Sequence, residues 1–251
     1  MKYRWKELLL MVLMLCLATA SATYAIKPLV YRAEKTQEIR AEIREFNKNK
    51  YKSEIQKALD EVQKSEEAMK PTEQRAYGNL FYEMQRYNMS LYTHKQRELT
   101  SKTAYELSQF SLTAYGVPDE TFGVISIPVM ELEMPLYLGA SEEHMANGAA
   151  VLSQTSIPIG GKDTNAVIAG HRGYSGYDYF RYIDKLELGD EITITNLWDT
   201  LTYKVTDIQI VSPDNVQAIL IQPGKDMITL LTCHPYASGG KYRYLVFCER
   251  V

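Results

Sequence analysis

Three strand-like stretches of this chain each deliver one reactive side chain. The run Met227-Ile-Thr-Leu-Leu-Thr-Cys-His-Pro-Tyr236 begins apolar and β-branched, presents Cys233 at its C-terminal edge, and is broken at once by Pro235. Tyr242-Arg-Tyr-Leu-Val-Phe247 reads as the next antiparallel strand, and Gly239-Gly240 makes the connection a hairpin whose register sets Arg243 roughly opposite Cys233. Asn165-Ala-Val-Ile-Ala-Gly-His-Arg-Gly173 is a third short apolar strand, ending in His171. A thiol, an imidazole and a guanidinium at three strand ends suit acyl transfer through a thioester. A cationic neighbour favours the thiolate, the imidazole can move the proton, and a fixed arginine fork can hold the oxyanion.

Each candidate has competitors. His94 lies in a charged helical stretch and His144 on a short helix, so both read as solvated. His234 neighbours Cys233, but successive strand residues point to opposite faces, and Pro235 keeps His234 extended. His171, followed by Gly173, is the acid/base of choice. Arg172 is expected to face away from it in a surface ion pair. Lys241 and Arg250 compete with Arg243, which alone is permanently charged and placed within the strand at the Cys end of the hairpin. Asp184 and Asp207 could orient the histidine, but no spacing places either beside it. The three cysteines are Cys16, Cys233 and Cys248. Cys248 falls about five residues along the partner strand from Cys233, ~17 Å away at ~3.3 Å per residue, well beyond the ~7 Å that a disulfide tolerates. Both are expected as free thiols, with Cys248 a small core residue.

These residues carry a resemblance. Thr229-Leu-Leu-Thr-Cys233 resembles the TLxTC signature of sortases, the cysteine transpeptidases of Gram-positive cell surfaces. Gly170-His-Arg-Gly173 is similar to their catalytic-His segment, and Arg243-Tyr-Leu-Val to the strand with their essential arginine. Ile125-Ser-Ile-Pro128, Leu136-Tyr-Leu-Gly139 and Gly160-Gly161 fall where the family has similar segments, so the likeness spans about residues 120 to 251. The Cys-His-Pro-Tyr run looks closest to class C, the pilus-polymerising sortases. The resemblance implies catalytic His171, Cys233 and Arg243, with Thr232, His234 and Tyr236 as candidate substrate-binding residues. On the residues alone, Thr232 could equally satisfy strand-end backbone groups. The implied reaction cleaves an LPxTG-like sorting signal between Thr and Gly and joins the acyl product to an amine. That amine is a pilin lysine in class C, or a cell-wall precursor in a housekeeping sortase; neither reaction calls for a metal or cofactor. Class C members often carry an Asp-Pro-aromatic lid over the cysteine, and this chain contains no Asp-Pro dipeptide. Papain-like proteases, the hydrolytic rival, place Cys before His, the reverse of the order here. A non-catalytic surface-assembly factor is the rival from another class.

The 251 residues hold one sizeable domain plus an accessory segment, and a net charge of −3 leaves no nucleic-acid footprint. Lys2, Arg4 and Lys6 precede an uncharged run from Leu8 to Ile26, about 19 residues. That run fits a cleaved signal peptide with small-residue sites near Ala20, and it fits an anchor nearly able to span a ~30 Å bilayer. The resemblance favours the anchor, with the remainder outside the cell under the positive-inside rule. No second span is expected after the last strand.

The expected organisation is a signal or anchor over 1–30, a helical accessory region over 31–118 and a catalytic β-barrel over 119–251. In the accessory region Ile39, Ile43 and Phe46 share one helical face, as do Ile55, Leu59 and Val62, and Leu80, Met84, Tyr87 and Leu91. Breaks are expected near Asn47–Tyr51 and Pro71, and the region reads as a solvated stalk, with a docking element as the alternative. From Thr121 the pattern becomes short β-branched runs: Gly123–Ile127, Pro135–Leu138, Ala150–Leu152, Ala166–Ala169, Glu191–Thr195, Leu201–Val211, Met227–Cys233 and Tyr242–Cys248. The fold class is therefore mainly β, an eight-stranded sortase-like barrel. Ser141 should cap a short helix, Tyr177–Leu186 should form another, and Ser212–Lys225 is a long connection that in the family shapes the sorting-signal groove.

Overall fold

A computed structural model describes residues 5, 9, 11, 27, 30–53, 77–94, 96, 99 and 106–251. Nearly all of the Leu8–Ile26 run, Cys16, the Ile55/Leu59/Val62 face and Pro71 lie outside the described residues. Among those described, no helix is long and apolar enough to cross a membrane.

Eight strands close into a barrel: β1 (Thr121–Ile127), β2 (Leu132–Leu138), β3 (Ala149–Val151), β4 (Thr164–Ala169), β5 (Glu191–Asn196), β6 (Thr200–Val211), β7 (Asp226–His234) and β8 (Tyr242–Arg250), in the spatial order β1-β2-β3-β4-β7-β8-β6-β5. All eight expected strands are present. Two pairings are parallel, β2 with β3 and β4 with β7; the remainder are antiparallel. The β1–β5 seam needs Gly123, because a Cβ there would sit 2.4 Å from the Thr195 carbonyl oxygen.

Alternation along the strands sorts side chains between two cores. Ala166 and Ile168 of β4, Ile228 and Leu230 of β7, and Val246 and Cys248 of β8 fill the barrel. Val167 and Ala169, Met227 and Leu231, and Leu245 and Phe247 form a second cluster on the outer face of the same strands. The β6–β7 connection, which includes a short 3₁₀ turn over Val216–Ile219, covers that face with Ile219 and Leu220.

The helical region differs from the expected stalk. Helix α1 (30–53) runs without a break at Asn47–Tyr51. Its Ile39, Ile43 and Phe46 are buried in the barrel's own core cluster, and burial at Phe46 outweighs the weak helix propensity of the asparagines that follow. Helix α2 (Gly78–Thr93) adds Leu80 and Met84 to that core. Its buried Asn88 accepts from the Ile157 N–H (2.8 Å) and donates to the Ile157 carbonyl (3.0 Å), tying the helix to a barrel loop. Helix α3 (Glu142–Asn147) is capped by Ser141, whose hydroxyl accepts from the His144 N–H as expected. The helix expected over Tyr177–Leu186 is reduced to a 3₁₀ turn at Ile183–Lys185, because Tyr179 sits at a left-handed φ of 42° that a helix cannot include.

Asn88→Ala should lower unfolding stability by about 1–3 kcal/mol, the cost of stranding the buried Ile157 N–H. Urea denaturation measures it, and an unchanged midpoint would mean that α2 is not part of the folding unit.

Candidate active site

The ladder between β4 and β7 aligns Ala169 with Leu231, and one step on, Gly170 N–H donates to the Leu231 carbonyl (3.1 Å). Thr232, 1% exposed, donates its hydroxyl to the Gly170 carbonyl at 2.7 Å. The next residues in step are His171 and Cys233, and after them Arg172 and His234. The last pair touch directly, with Arg172 Nη1 2.9 Å from His234 Nδ1. His171 and Cys233 are thus bracketed by contacts on both sides, at about the 4.8 Å spacing of neighbouring strands. Alternation puts them on the outer face, with Ala169 and Leu231, and puts Arg172 and His234 on the opposite one.

Arg243 arrives from the third strand. It is the direct partner of Cys233 in the β7–β8 ladder, and its Nη1 lies 3.9 Å from Sγ. The same Nη1 donates to the carbonyls of Gly240 (2.8 Å) and Tyr242 (3.2 Å), which fixes the fork beside the sulfur. Gly240, at a φ of +82°, allows this closeness: a Cβ there would stand 2.9 Å from Nη1 and 3.2 Å from Sγ. Cys233 is an exposed free thiol, whereas Cys248 is buried opposite Ile228, five rungs away, where burial pushes its thiol far up.

His171 is packed by aromatic rings, stacked on Tyr174 (centroids 4.6 Å) and edge-on to Tyr179 (5.9 Å). Burial against them lowers its pKa from the ordinary 6.5. Asp184 does not orient this histidine; it pairs with Arg172 at 3.2 Å.

Arg172 is where the structure departs furthest from the expected surface ion pair. It is 8% exposed, and its guanidinium lies over the Tyr244 ring (5.2 Å) between His234 and Asp184. Its buried Nε has no hydrogen-bond partner among the described residues. A guanidinium only donates, so Nδ1 of His234 is the acceptor. The alternation that turned Arg172 from His171 was legible; the matching inward turn of His234, which gives Arg172 an acceptor, was the missed signal. Of the three expected substrate-binding residues, Thr232 bonds the Gly170 carbonyl and His234 bonds Arg172 on this inner layer. Tyr236 alone stands exposed, against Gly173 and under the Arg181 guanidinium (4.6 Å).

Gly240→Ala should cut turnover by ten-fold or more, since small displacements of reacting groups are costly, while leaving the far-ultraviolet circular dichroism intact. In a Cys233→Ser chain, His171 should titrate below 6.5 by NMR, and its resistance to protonation should subtract stability as pH falls through that value. A titration at or above 6.5 would contradict the burial.

The Sortase domain profile matches residues 125–251, half of the chain. Sortase D of Bacillus subtilis (strain 168) is 27% identical over 131 residues, which make up 51% of this chain and 63% of that protein. The chain therefore spans under two thirds of this curated relative. Among solved structures, sortase C1 of group B Streptococcus pilus island 1 superposes with a TM-score of 0.62 at 28% identity, over 70% of this chain and 88% of that one. Sortase C from Clostridium perfringens SM101 gives 0.57 at 30%, over 77% and 97%. With the thiol, imidazole and guanidinium positions all inside the matched segment, the chain belongs to the sortase family of cysteine transpeptidases.

Proposed function

We propose that this chain is a pilus-type sortase that cleaves an LPxTG-like sorting signal and transfers its acyl part to an amine, most simply a pilin lysine. The observation that carries the reading is the Cys233–Arg243 rung, with Nη1 3.9 Å from Sγ and His171 in step on the neighbouring strand. The Cys233 thiolate attacks the Thr carbonyl carbon, and Arg243 donates to the oxyanion. The tetrahedral intermediate collapses to a thioester as the Thr–Gly bond breaks, and the His171 imidazolium protonates the departing glycine amine. The acceptor amine then attacks the thioester, His171 takes its proton, and the thiolate is released. In this reading the sorting signal reaches the exposed sulfur past the edge of the β6–β7 connection, which covers the apolar outer face at Leu231 and Leu245. The class C pilus sortases among the similar structures favour a pilin lysine over a cell-wall acceptor. Leu8–Ile26 serves as the membrane anchor in this reading, with the barrel on the outer side. Residues 54–76 lie outside the described residues, so the reading draws on no lid.

Cys233→Ala and His171→Ala should abolish covalent pilin polymer, and Arg243→Lys should reduce kcat about 10²–10³-fold, as loss of an oxyanion donor does. Mass spectrometry of products with and without lysine amine separates transfer from hydrolysis. Polymer that persists in Cys233→Ala would sink the assignment.

A further inference from the structure

We infer that the active-site rim lies against the membrane surface, presented to anionic lipid by a belt of tyrosines and cations. This rests on the reading of Leu8–Ile26 as an anchor and adds the orientation of the site. Tyr174, Tyr182, Tyr236 and Tyr242 are all 38–50% exposed at this rim. The cations among them are stacked on the rings. Arg181 lies over Tyr236 (4.6 Å) and Tyr182 (5.5 Å), Lys185 over Tyr182 (4.9 Å) and Lys241 over Tyr242 (5.5 Å). Of the carboxylates beside these rings, Asp178 pairs with Arg32 and Arg181, and Asp184 with Arg172. Exposed aromatic bodies tipped with cations match the interfacial layer of a bilayer, where tyrosine concentrates and basic residues meet anionic headgroups.

The tether decides the occupant. Arg32, in the first turns of α1, pairs with Asp178, which also pairs with Arg181 at 3.7 Å. Arg32 follows Ile26, the last of the uncharged run, by only six positions. They span about 9 Å at helical rise and about 21 Å if fully extended. The headgroup layer itself accounts for about 5–8 Å of that. Asp178, Arg181 and the rings stacked on it are therefore held close to the lipid by a leash too short to let this rim turn far from it. The opposite end of α1, at Tyr51, lies about 28 Å further along the helix axis. Such an orientation confines Cys233 to substrates presented at the bilayer surface.

The test is photo-crosslinking with the full chain reconstituted into phosphatidylglycerol vesicles, with p-benzoylphenylalanine placed at Tyr182, at Lys241 or, as the control, at Tyr51. Thiol-reagent labelling of Cys233 at the unsubstituted rate certifies that each variant is folded. Lipid adducts at Tyr182 and Lys241 should exceed those at Tyr51 at least ten-fold and fall when phosphatidylcholine replaces phosphatidylglycerol. If the chain floats with the vesicles yet the rim positions give no more lipid adduct than Tyr51, or crosslink to a protein instead, the orientation is wrong while the anchor stands. If the chain does not float with vesicles, anchor and orientation fall together.

Discussion

The parallel register of β4 and β7 is the constraint on which the site depends. A slip of one residue would send Cys233 inward with Ile228 and Leu230 while leaving His171 outward, and the two groups could no longer meet. The register is pinned on the barrel side by Ile168 and Leu230, and on the outer side by Ala169 and Leu231. Beyond the last paired rung the ladder would normally fray. Thr232 and the Gly170 backbone prevent this with two bonds, and Gly170 permits it sterically, because a Cβ there would strike the Phe180 ring at 2.6 Å.

Arg172 extends the same logic into the barrel end. Burying a guanidinium is costly unless the charge is paired and its hydrogens are used. Here Asp184, His234 and the Tyr244 face share the task, and they come from the loop after His171, from β7 and from β8. The cation thus ties together the three segments that carry His171, Cys233 and Arg243 on the other face. Its worth is geometric: truncation would leave Asp184 unpaired and His234 without its donor, and would loosen all three reactive positions together.

The barrel was legible because its strands are short β-branched runs with turn residues between them, and the Cys233–Arg243 pairing was legible because Gly239-Gly240 fixes a hairpin. Long-range placement was less so. The helical faces at Ile39, Ile43, Phe46, Leu80 and Met84 read correctly as amphipathic, but no periodicity states what a face packs against, and the barrel turned out to be its partner. Arg172 was misjudged because surface pairing is the usual fate of an arginine, and its burial depends on an acceptor 62 residues away. The helix expected after His171 failed at Tyr179, whose left-handed backbone no composition rule foretells.

The aromatic packing of His171 sets a tension that the chemistry must resolve. Rings against the imidazole disfavour its charged form, yet in the proposed reaction the leaving amine needs a proton from imidazolium. The burial therefore favours the neutral imidazole until negative charge develops beside it. In the proposed reaction a thiolate at Cys233 supplies that charge across the strand spacing. Arg243 Nη1, 3.9 Å from the sulfur, sets a fixed cation beside it. The guanidinium does so without competing for the proton, because it never gives one up. A lysine in its place could itself exchange a proton with the pair, so the arrangement selects arginine on electrostatic grounds as well as on geometry.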